Sequence, residues 1–408
     1  MRRYDYLIIG GGIAGTSAAE AIRAGDEQGT IAMVSAEPHL VYSRVLLPSY
    51  LKKKIPRERI FLRTRQDFEK KRIDVLQNQE VMRVKSETRE VMLADGEEIT
   101  YRKLLIASGG RPVPWGNETE QGFVRRLQTL DDADGLSAAL PNTHEPLVIG
   151  SSFIALEFLE IFHASGIRPR LIARSPHLFP SMLDEKGGAL LADNIAAHGI
   201  PMHFDDTLIT IRKEENALAV TTARGASFST DTLAIGIGIE RAIGFLEHSG
   251  ITLGKRGVLT NEFLETNVPG VFAAGDVAEA HDKNSGGYRT LGNWANAVAQ
   301  GTRAGANMAG AHEPFNAVAA YSITNFGMQI TTVGECDDTL ENIARQDMPL
   351  KRYGRFFIRG NALAGVALIN GSADRAHLMA LIKQKTPIEQ YRTQLADSSF
   401  DIRTIPLI

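Results

Sequence analysis

The sequence predicts an α/β fold class with two similar domains in one chain, the second inserted into the first. Residues 7–20 (LIIGGGIAGTSAAE) combine an apolar strand, a glycine turn and a helix, and residues 147–160 (LVIGSSFIALEFLE) repeat that order. Residues 268–280 (VPGVFAAGDVAEA) resemble the last strand and turn of the first domain. We therefore predict two Rossmann-like nucleotide-binding domains of the three-layer ββα type, followed by a C-terminal α+β cap.

The predicted domain boundaries follow from the point at which the pattern restarts. In the first domain a second apolar strand, TIAMVSAE, ends at Glu37, and a β-rich stretch follows at residues 81–110. No low-complexity linker separates the parts. We assign residues 1–115 and 245–314 to the first domain, residues 116–244 to the second domain, and residues 315–408 to the cap.

The first glycine turn has the residues that a bound dinucleotide requires. Gly10 permits the tight turn, Gly12 lets the backbone approach a pyrophosphate, and Gly15 lets the helix pack on the strand. The N-terminus of the helix offers free N–H groups and a partial positive charge to phosphate. Glu37 can accept hydrogen bonds from both hydroxyls of a ribose, although an exposed acid at a strand end is the alternative interpretation.

The second turn keeps only one of the three glycines. Ser152 stands at the close-approach position, and Ala155 stands at the third position, where alanine is accepted. The Ser152 side chain adds bulk near a pyrophosphate, but its hydroxyl can also donate to a phosphate oxygen. We predict that this turn binds a nicotinamide nucleotide, with a vestigial domain as the alternative.

Composition excludes several classes of function. The net charge of −3, without a long basic run, argues against a nucleic-acid-binding protein. Cys336 is the only cysteine, so no intrachain disulfide or cysteine-rich metal site is possible, and a reducing, cytoplasmic location is expected. The ten histidines lack metal-ligand spacing, so no metal site is predicted. No apolar run is long enough to span a membrane.

Two short polar stretches receive separate interpretations. Residues 51–59 (LKKKIPRER) are expected to form an exposed loop, with a docking patch for an acidic partner as the alternative. Asn117, Glu118 and Thr119 match a glycosylation acceptor, but no secretory signal accompanies them.

Taken with the two turns, residues 272–280 (VFAAGDVAE) make a family recognisable. The chain resembles the FAD-dependent pyridine nucleotide oxidoreductases, in the branch of ferredoxin reductases, rubredoxin reductases and the flavin domain of nitrite reductases. The resemblance covers residues 4 to about 310 and, more loosely, the cap. It implies that the first domain binds FAD through Gly10, Gly12, Ile13, Ala14, Gly15, Glu37, Arg44, Val81, Ala107, Ser108, Gly109, Gly275, Asp276 and Trp294.

Three of these residues carry specific expectations from the resemblance. Asp276 would bind the ribityl chain near the flavin pyrophosphate, because a carboxylate accepts from a ribityl hydroxyl. Arg44 belongs to the loop that passes the flavin, with a surface ion pair as the alternative. Trp294 would lie at the flavin edge, with a core aromatic residue as the alternative.

The resemblance also implies that the second domain binds NADPH or NADH. The expected contacts are Gly150, Ser152, Phe153, Ile154, Ala155, Glu157, Arg174, Gly236, Ile237 and Gly238. The glutamate that would recognise an NAD ribose falls on Ala173, and Arg174 can pair with a 2′-phosphate, which favours NADPH unless Arg174 is merely exposed. Ferredoxin reductases often have a lysine where this chain has Ser49, so Glu157 is expected to lack its usual partner.

The predicted function is an NAD(P)H-dependent flavoprotein reductase that passes electrons through FAD to a small iron–sulfur protein of the rubredoxin or ferredoxin type. No catalytic side chain is assigned, since hydride transfer needs mainly orientation. Two alternatives remain open: an NAD(P)H oxidase that uses oxygen or another small acceptor, and a weakly redox-active FAD-binding partner protein. Either a monomer or a homodimer is compatible with the sequence.

Overall fold

The computed structural model describes residues 2–116, 120–282 and 286–408. The formal glycosylation acceptor at residues 117–119 lies outside the described residues. The chain divides into two compact units, called here the first unit (residues 1–46, 55–111 and 239–319) and the second unit (residues 47–54, 112–238 and 320–408). The division of the chain into three domains remains a prediction.

The helices of the described residues are numbered in chain order. They are α1 (Ile13–Gly25), α2 (Leu47–Leu51), α3 (Arg65–Lys70), α4 (Leu130–Ala139), α5 (Phe153–Ala164), α6 (Glu185–Ala196), α7 (Trp294–Met308), α8 (Arg375–Gln384) and α9 (Arg392–Leu395). None of these helices combines the length and the apolar surface that crossing a membrane requires, in the part of the chain that the structure describes.

The strands are numbered in the same way. They are β1 (Arg2–Ile9), β2 (Ile31–Val34), β3 (Ile73–Leu76), β4 (Val81–Lys85), β5 (Glu90–Leu93), β6 (Glu98–Ile106), β7 (Gly110–Pro112), β8 (Val124–Arg125), β9 (Pro146–Gly150), β10 (Arg170–Ile172), β11 (Met202–His203), β12 (Leu208–Lys213), β13 (Leu218–Thr222), β14 (Ser227–Thr230), β15 (Thr232–Gly236), β16 (Ile239–Arg241), β17 (Val258–Thr260), β18 (Val271–Ala273), β19 (Ala278–Asp282), β20 (Gly287–Arg289), β21 (Ala320–Asn325), β22 (Met328–Gly334), β23 (Glu341–Asp347), β24 (Arg352–Arg359) and β25 (Ala362–Ile369).

The first unit is built on a seven-stranded sheet with the order β3-β2-β1-β6-β5-β4, in which β18 also pairs with β6. The strands β1, β2, β3, β6 and β18 run parallel, whereas β4 and β5 form an antiparallel extension. Alternate residues of β1 enter different clusters, Ile8 on the side of α1 and Leu7 on the opposite side. Both faces of the sheet are therefore buried, as in parallel sheets generally.

Helices α1 and α7 of the first unit pack with almost no space between their backbones. A Cβ atom at Gly301 would lie 2.2 Å from the carbonyl oxygen of Ala14, and one at Gly305 would lie 2.3 Å from that of Ala18. Glycine is needed at both positions because any side chain would separate the helices. This packing holds Gly301, in the middle of α7, against the N-terminal turn of α1.

The second unit contains a parallel sheet with the order β11-β10-β9-β15-β8. The antiparallel sheet of β12, β13 and β14 covers one face, since Val220 packs in one cluster with Leu147 and Leu233. Helix α5 packs against β9 and β15. These three layers are the ββα arrangement that the sequence predicts.

The cap residues form an antiparallel sheet with the order β21-β22-β25-β24-β23, against which α8 packs. The sequence placed the end of the second strand at Glu37, and this expectation was wrong by three residues because β2 ends at Val34. The N–H of Ser35 still donates to the carbonyl of Leu76 at 2.8 Å, and the chain then bends over residues 36–39.

Candidate nucleotide-binding sites

The first glycine turn has the geometry of a phosphate-binding turn. Gly10 has φ +121°, and a Cβ there would lie 2.2 Å from the carbonyl oxygen of Ala107 at the end of β6. A Cβ at Gly15 would lie 2.0 Å from the carbonyl oxygen of Gly10. At Gly12 an added Cβ would meet nothing within 4 Å, so the space in front of α1 is open. No side chain caps α1, and its first N–H groups can therefore bind an anion.

The carboxylate of Glu37 is held in a fixed orientation by two neighbours. Arg44 donates to Glu37 Oε1 at 2.5 Å, and the Tyr42 hydroxyl donates to Glu37 Oε2 at 2.6 Å. Arg44 therefore forms an ion pair, which was the alternative interpretation for this residue. Its partner, Glu37, is the residue expected to bind the ribose. Tyr42 was missed by the sequence analysis, although its position two residues before Arg44 in residues 39–51 is visible there.

Asp276 lies in the first unit beside the N-terminus of α7. The preceding residue, Gly275, has φ +82°, and its N–H donates to Gln300 Oε1 at 2.8 Å. A Cβ at Gly275 would lie 3.0 Å from that of Ala14, so this turn reaches the start of α1. Burial raises the pKa of the Asp276 carboxyl, and the positive charges of Arg241 and Arg44 act in the opposite direction.

The remaining residues of the first unit that are expected to bind FAD lie after β6 or at the start of other elements. Ala107 and Val81 are buried, and Val81 opens β4. Ser108 Oγ donates to the carbonyl of Ala242 at 2.8 Å, and Gly109 has φ +67°. Trp294 is the first residue of α7 and is only partly buried, which argues against its being a simple core aromatic residue.

The polar groups of the first unit are suited to FAD. Arg241 Nε and Asn296 Oδ1 are buried, and within the described ranges neither has a hydrogen-bond partner. Buried polar atoms of proteins are nearly always satisfied, so these two atoms indicate a ligand with both acceptor and donor groups. The open space at Gly12 admits a pyrophosphate, and the hydroxyls of a ribityl chain match Asp276 and Asn296.

The second glycine turn reproduces the backbone of the first. Gly150 has φ +132°, and a Cβ there would lie 2.2 Å from the carbonyl oxygen of Gly236 at the end of β15. Ser152 has φ −118° and ψ −170°, an extended conformation like that of Gly12 at φ −76° and ψ −172°. Serine therefore adopts the required backbone without strain, and its hydroxyl donates to the carbonyl of Gly236 at 3.5 Å.

Alanine is accommodated at the third position of the second turn. Ala155 is fully buried, and it faces Gly236, where an added Cβ would lie 2.7 Å from the N atom of Ala155. The glycine at position 236 thus provides the space that the methyl group of Ala155 occupies. The second turn is altered in sequence and intact in conformation.

Glu157 lies in the second unit within a group of charged side chains that was not predicted from the sequence. Burial raises the pKa of Glu157 to about 7, the charge of Lys52 lowers it, and the charge of Glu160 raises it. Lys52 forms an ion pair with Glu160, and the Lys52 side chain is only 8% exposed. The expected exposed loop at residues 51–59 was therefore wrong for Lys52, and Glu157 does not lack a cationic neighbour.

The strand β21 covers the same face of α5. Asn325 Nδ2 donates to Glu160 at 3.1 Å, and the N–H of Phe326 donates to it at 3.2 Å. Tyr321 packs edge-on against Phe153 with ring centroids 5.1 Å apart. Burial and the charge of Glu157 raise the pKa of Tyr321 above its usual range, so its phenol stays protonated.

The two strand ends that were expected to bind the nucleotide differ in exposure. Ala173 is buried directly after β10, and Arg174 is exposed. After β15, Gly236 is buried, Ile237 is 41% exposed and Gly238 has φ +104°. Ile154 lies in the first turn of α5 and is partly buried. The part of the chain that the structure describes contains no cluster of three metal-ligating side chains.

Comparison with known proteins gives consistent results. The family model described as pyridine nucleotide-disulphide oxidoreductase matches residues 4–301. The chain is 27% identical to the ferredoxin reductase subunit of a 5,5′-dehydrodivanillate O-demethylase from Sphingobium sp., over 99% of both chains. It is also 27% identical to the ferredoxin–NAD(+) reductase component of a p-cumate 2,3-dioxygenase system from Pseudomonas putida, over 97% of both.

Among solved structures, the covalent putidaredoxin reductase–putidaredoxin complex matches with a TM-score of 0.92 and 21% identity. The match covers 99% of this chain and 98% of that chain. This likeness confirms the predicted fold class of two nucleotide-binding domains with a cap.

Proposed function

We propose that this chain, an FAD-dependent NAD(P)H oxidoreductase that belongs to the pyridine nucleotide-disulphide oxidoreductase family, passes electrons to a small iron–sulfur protein of the rubredoxin or ferredoxin type. The single observation that carries this proposal is the pair of glycine turns with the same backbone, at Gly10 and Gly150, in a chain with one cysteine. Two such turns provide for two nucleotides, one in each unit.

The absence of a second cysteine decides the route of the electrons. A thiol relay within the chain needs two cysteines, or one reactive thiolate, and Cys336 is the only candidate. Burial raises the pKa of the Cys336 thiol to about 12, so the nucleophilic thiolate is scarce at neutral pH. Electrons must therefore leave for an external acceptor, and the ferredoxin reductases among the relatives support an iron–sulfur protein.

The side chains and backbone act by binding and orientation. FAD, when bound, supplies the hydride-accepting and electron-donating chemistry. Through the geometry of the first turn, the N–H groups of α1 would hold the pyrophosphate, and Glu37, fixed by Arg44 and Tyr42, would accept from ribose hydroxyls. In the second unit, the N-terminus of α5 would hold the nicotinamide nucleotide, with the residues of the second turn around it.

Several finer assignments are part of the proposal. The first unit is taken to bind FAD and the second unit NAD(P)H, with the domain boundaries at residues 1–115 and 245–314, 116–244 and 315–408. Arg174, which is exposed beside the buried Ala173, favours NADPH over NADH. The single cysteine favours a cytoplasmic location.

Rapid reduction of the bound flavin tests the first half-reaction. The purified protein is mixed with NADPH or NADH in a stopped-flow instrument, and the flavin absorbance is followed. Fast bleaching is expected, and a protein that bleaches slowly or not at all with either nucleotide would be a binding protein instead. Adding oxidised rubredoxin or ferredoxin should then restore the absorbance faster than oxygen alone; equal rates would favour an NAD(P)H oxidase.

A cysteine variant separates direct transfer from a thiol relay. Cys336→Ala should reduce rubredoxin or ferredoxin at the wild-type rate, because no step requires the thiol. A large loss of acceptor reduction with unchanged flavin bleaching would contradict direct transfer. Flavin content, measured by absorbance, serves as the control for correct folding of the variant.

A further inference from the structure

Arg241 is a charged residue of the first unit whose side chain is incompletely satisfied. Its Nε atom is buried, and no acceptor for it exists among the described residues. A guanidinium stays charged at every pH that a folded protein tolerates, and a buried donor without an acceptor costs free energy. Such a donor is expected where a ligand supplies the missing acceptor.

The backbone around Arg241 is anchored to the segment that follows β6. The N–H of Ala242 donates to the carbonyl of Gly109 at 3.2 Å, and Ser108 Oγ donates to the carbonyl of Ala242 at 2.8 Å. The same segment begins at Ala107, which lies against the first glycine turn. The N–H and the carbonyl of the adjacent Ala242 are therefore both bonded to this segment, and they hold Arg241 at the edge of the first glycine turn.

The charges near Arg241 leave it without a hydrogen-bonded counter-ion. Asp276 feels the charges of Arg241 and Arg44, and burial raises the pKa of its carboxyl, but the Arg241 Nε atom makes no hydrogen bond to it. Arg44 donates to Glu37, which occupies that carboxylate. An anion in the open space before α1 would supply the acceptor that Arg241 lacks. A diphosphate offers the oxygen acceptors that a guanidinium prefers.

We propose that Arg241 binds the pyrophosphate of FAD through its buried Nε–H, as a cofactor-binding residue that lies outside the glycine turns. The inference rests on the proposed function, because it takes FAD to be the ligand of the first unit. Arg241 supplies positive charge from β16, on the return of the chain to this unit, whereas the first turn supplies backbone N–H groups from α1.

Flavin binding to the full-length protein tests the assignment. The flavin is removed, and FAD is titrated back into wild type, Arg241→Gln and Arg241→Lys while flavin fluorescence is followed. Loss of a charge-assisted hydrogen bond predicts FAD binding that is weaker by about 10-fold or more in Arg241→Gln, with an intermediate effect in Arg241→Lys. Arg111→Gln is the matched control, because Arg111 lies on β7, the strand that pairs with β16, is 72% exposed and pairs with Glu240.

Competition with ADP identifies the part of FAD that is contacted. ADP carries the pyrophosphate but no flavin, and its ability to compete with FAD reports on the FAD site and not on the nicotinamide nucleotide site. Both FAD and ADP should bind Arg241→Gln more weakly by a similar factor. Weakened FAD with unchanged ADP, or no change in either, would overturn the assignment to the pyrophosphate.

The proposed function and this inference fail in different ways. If wild type did not bind FAD, the proposed function would be wrong. If wild type bound FAD and Arg241→Gln bound it equally well, only the role of Arg241 would be wrong. Circular dichroism and thermal unfolding of the flavin-free proteins show whether Arg241→Gln is folded, and Arg241→Lys, which keeps the charge, provides the second measurement if it is not.

Discussion

Lys52 forms an ion pair with Glu160, one turn along α5 from the partly buried Glu157. Lys52 follows α2, so this pair joins a short helix of the second unit to the helix that starts at the second glycine turn. Asn325 and the N–H of Phe326 also donate to Glu160, which brings the start of the cap to the same carboxylate. Glu160 is thus the point at which three segments of the second unit meet.

Removal of the Lys52 charge should destabilise the protein. In Lys52→Met, Glu160 keeps two hydrogen-bond donors but loses its counter-ion in a site where the two side chains are 8% and 15% exposed. Breaking a buried pair on one side predicts a loss of about 3 kcal/mol in the free energy of unfolding. Thermal and urea unfolding measure it, and Lys53→Met, at an exposed neighbour, is the control. Equal effects of the two variants would show that the ion pair is not the cause.

Glu157 should make stability depend on pH near neutrality. Burial raises its folded-state pKa to about 7, above its value in the unfolded chain, so the folded state binds the proton more tightly. Stability is therefore lost as the pH rises from the unfolded pKa towards the folded pKa, and the loss is complete above it. The difference between about pH 5.5 and about pH 8.5 is expected to be about 2 kcal/mol.

Glu157→Gln removes this titration. The variant should gain stability relative to wild type as the pH increases, because glutamine carries no charge to bury. Unfolding midpoints at the two pH values provide the measurement, and Glu215→Gln, at an exposed acid of the same unit, should follow wild type. Parallel pH profiles of Glu157→Gln and wild type would mean that Glu157 does not titrate as stated. In Lys52→Met the profile should shift to higher pH, because Lys52 lowers the pKa of Glu157.

Local sequence patterns contained most of the fold, and the reason is visible in the two glycine turns. Gly10 and Gly150 each have a positive φ, and each lies close to the end of another strand. Both requirements concern the backbone, and they restrict the residue type at that one position to glycine. Apolar runs likewise marked the buried strands β1 and β9. These constraints act within a few residues, so a single sequence displays them.

Contacts between distant segments could not be obtained in this way. Ser49 stands where the ferredoxin reductases often have the lysine that partners Glu157. The five-residue helix α2 brings Lys52 to the same group of carboxylates instead. Arg241 follows Gly238, an expected contact of the other nucleotide, by three residues, and only the pairing of its strand β16 with β7 places it beside the first turn. Whether a charged side chain is exposed or buried depends on the packing of elements, which residues 51–59 alone do not specify.

Ser152 should weaken nucleotide binding through its Cβ and not through its hydroxyl. At Gly12, the equivalent residue of the first turn, an added Cβ would enter open space where a pyrophosphate is expected. The Ser152 hydroxyl is turned towards Gly236. Ser152→Gly should therefore tighten NAD(P)H binding by a few-fold without changing the flavin content, whereas Ser152→Ala, which keeps the Cβ, should not. Titration of both variants with NADPH tests this, and tighter binding by both would assign the effect to the hydroxyl.

Arg174 should determine the preference for NADPH. It is the exposed residue that follows Ala173 at the end of β10, where an NAD-binding domain has a carboxylate. A guanidinium that pairs with a 2′-phosphate contributes a charge-assisted hydrogen bond, so Arg174→Gln should lower kcat/KM for NADPH by about 10-fold and leave that for NADH nearly unchanged. Steady-state reduction of ferricyanide with each nucleotide measures both constants. Arg168→Gln, at another exposed arginine of the second unit, should change neither. A wild-type protein that strongly prefers NADH would refute the role of Arg174.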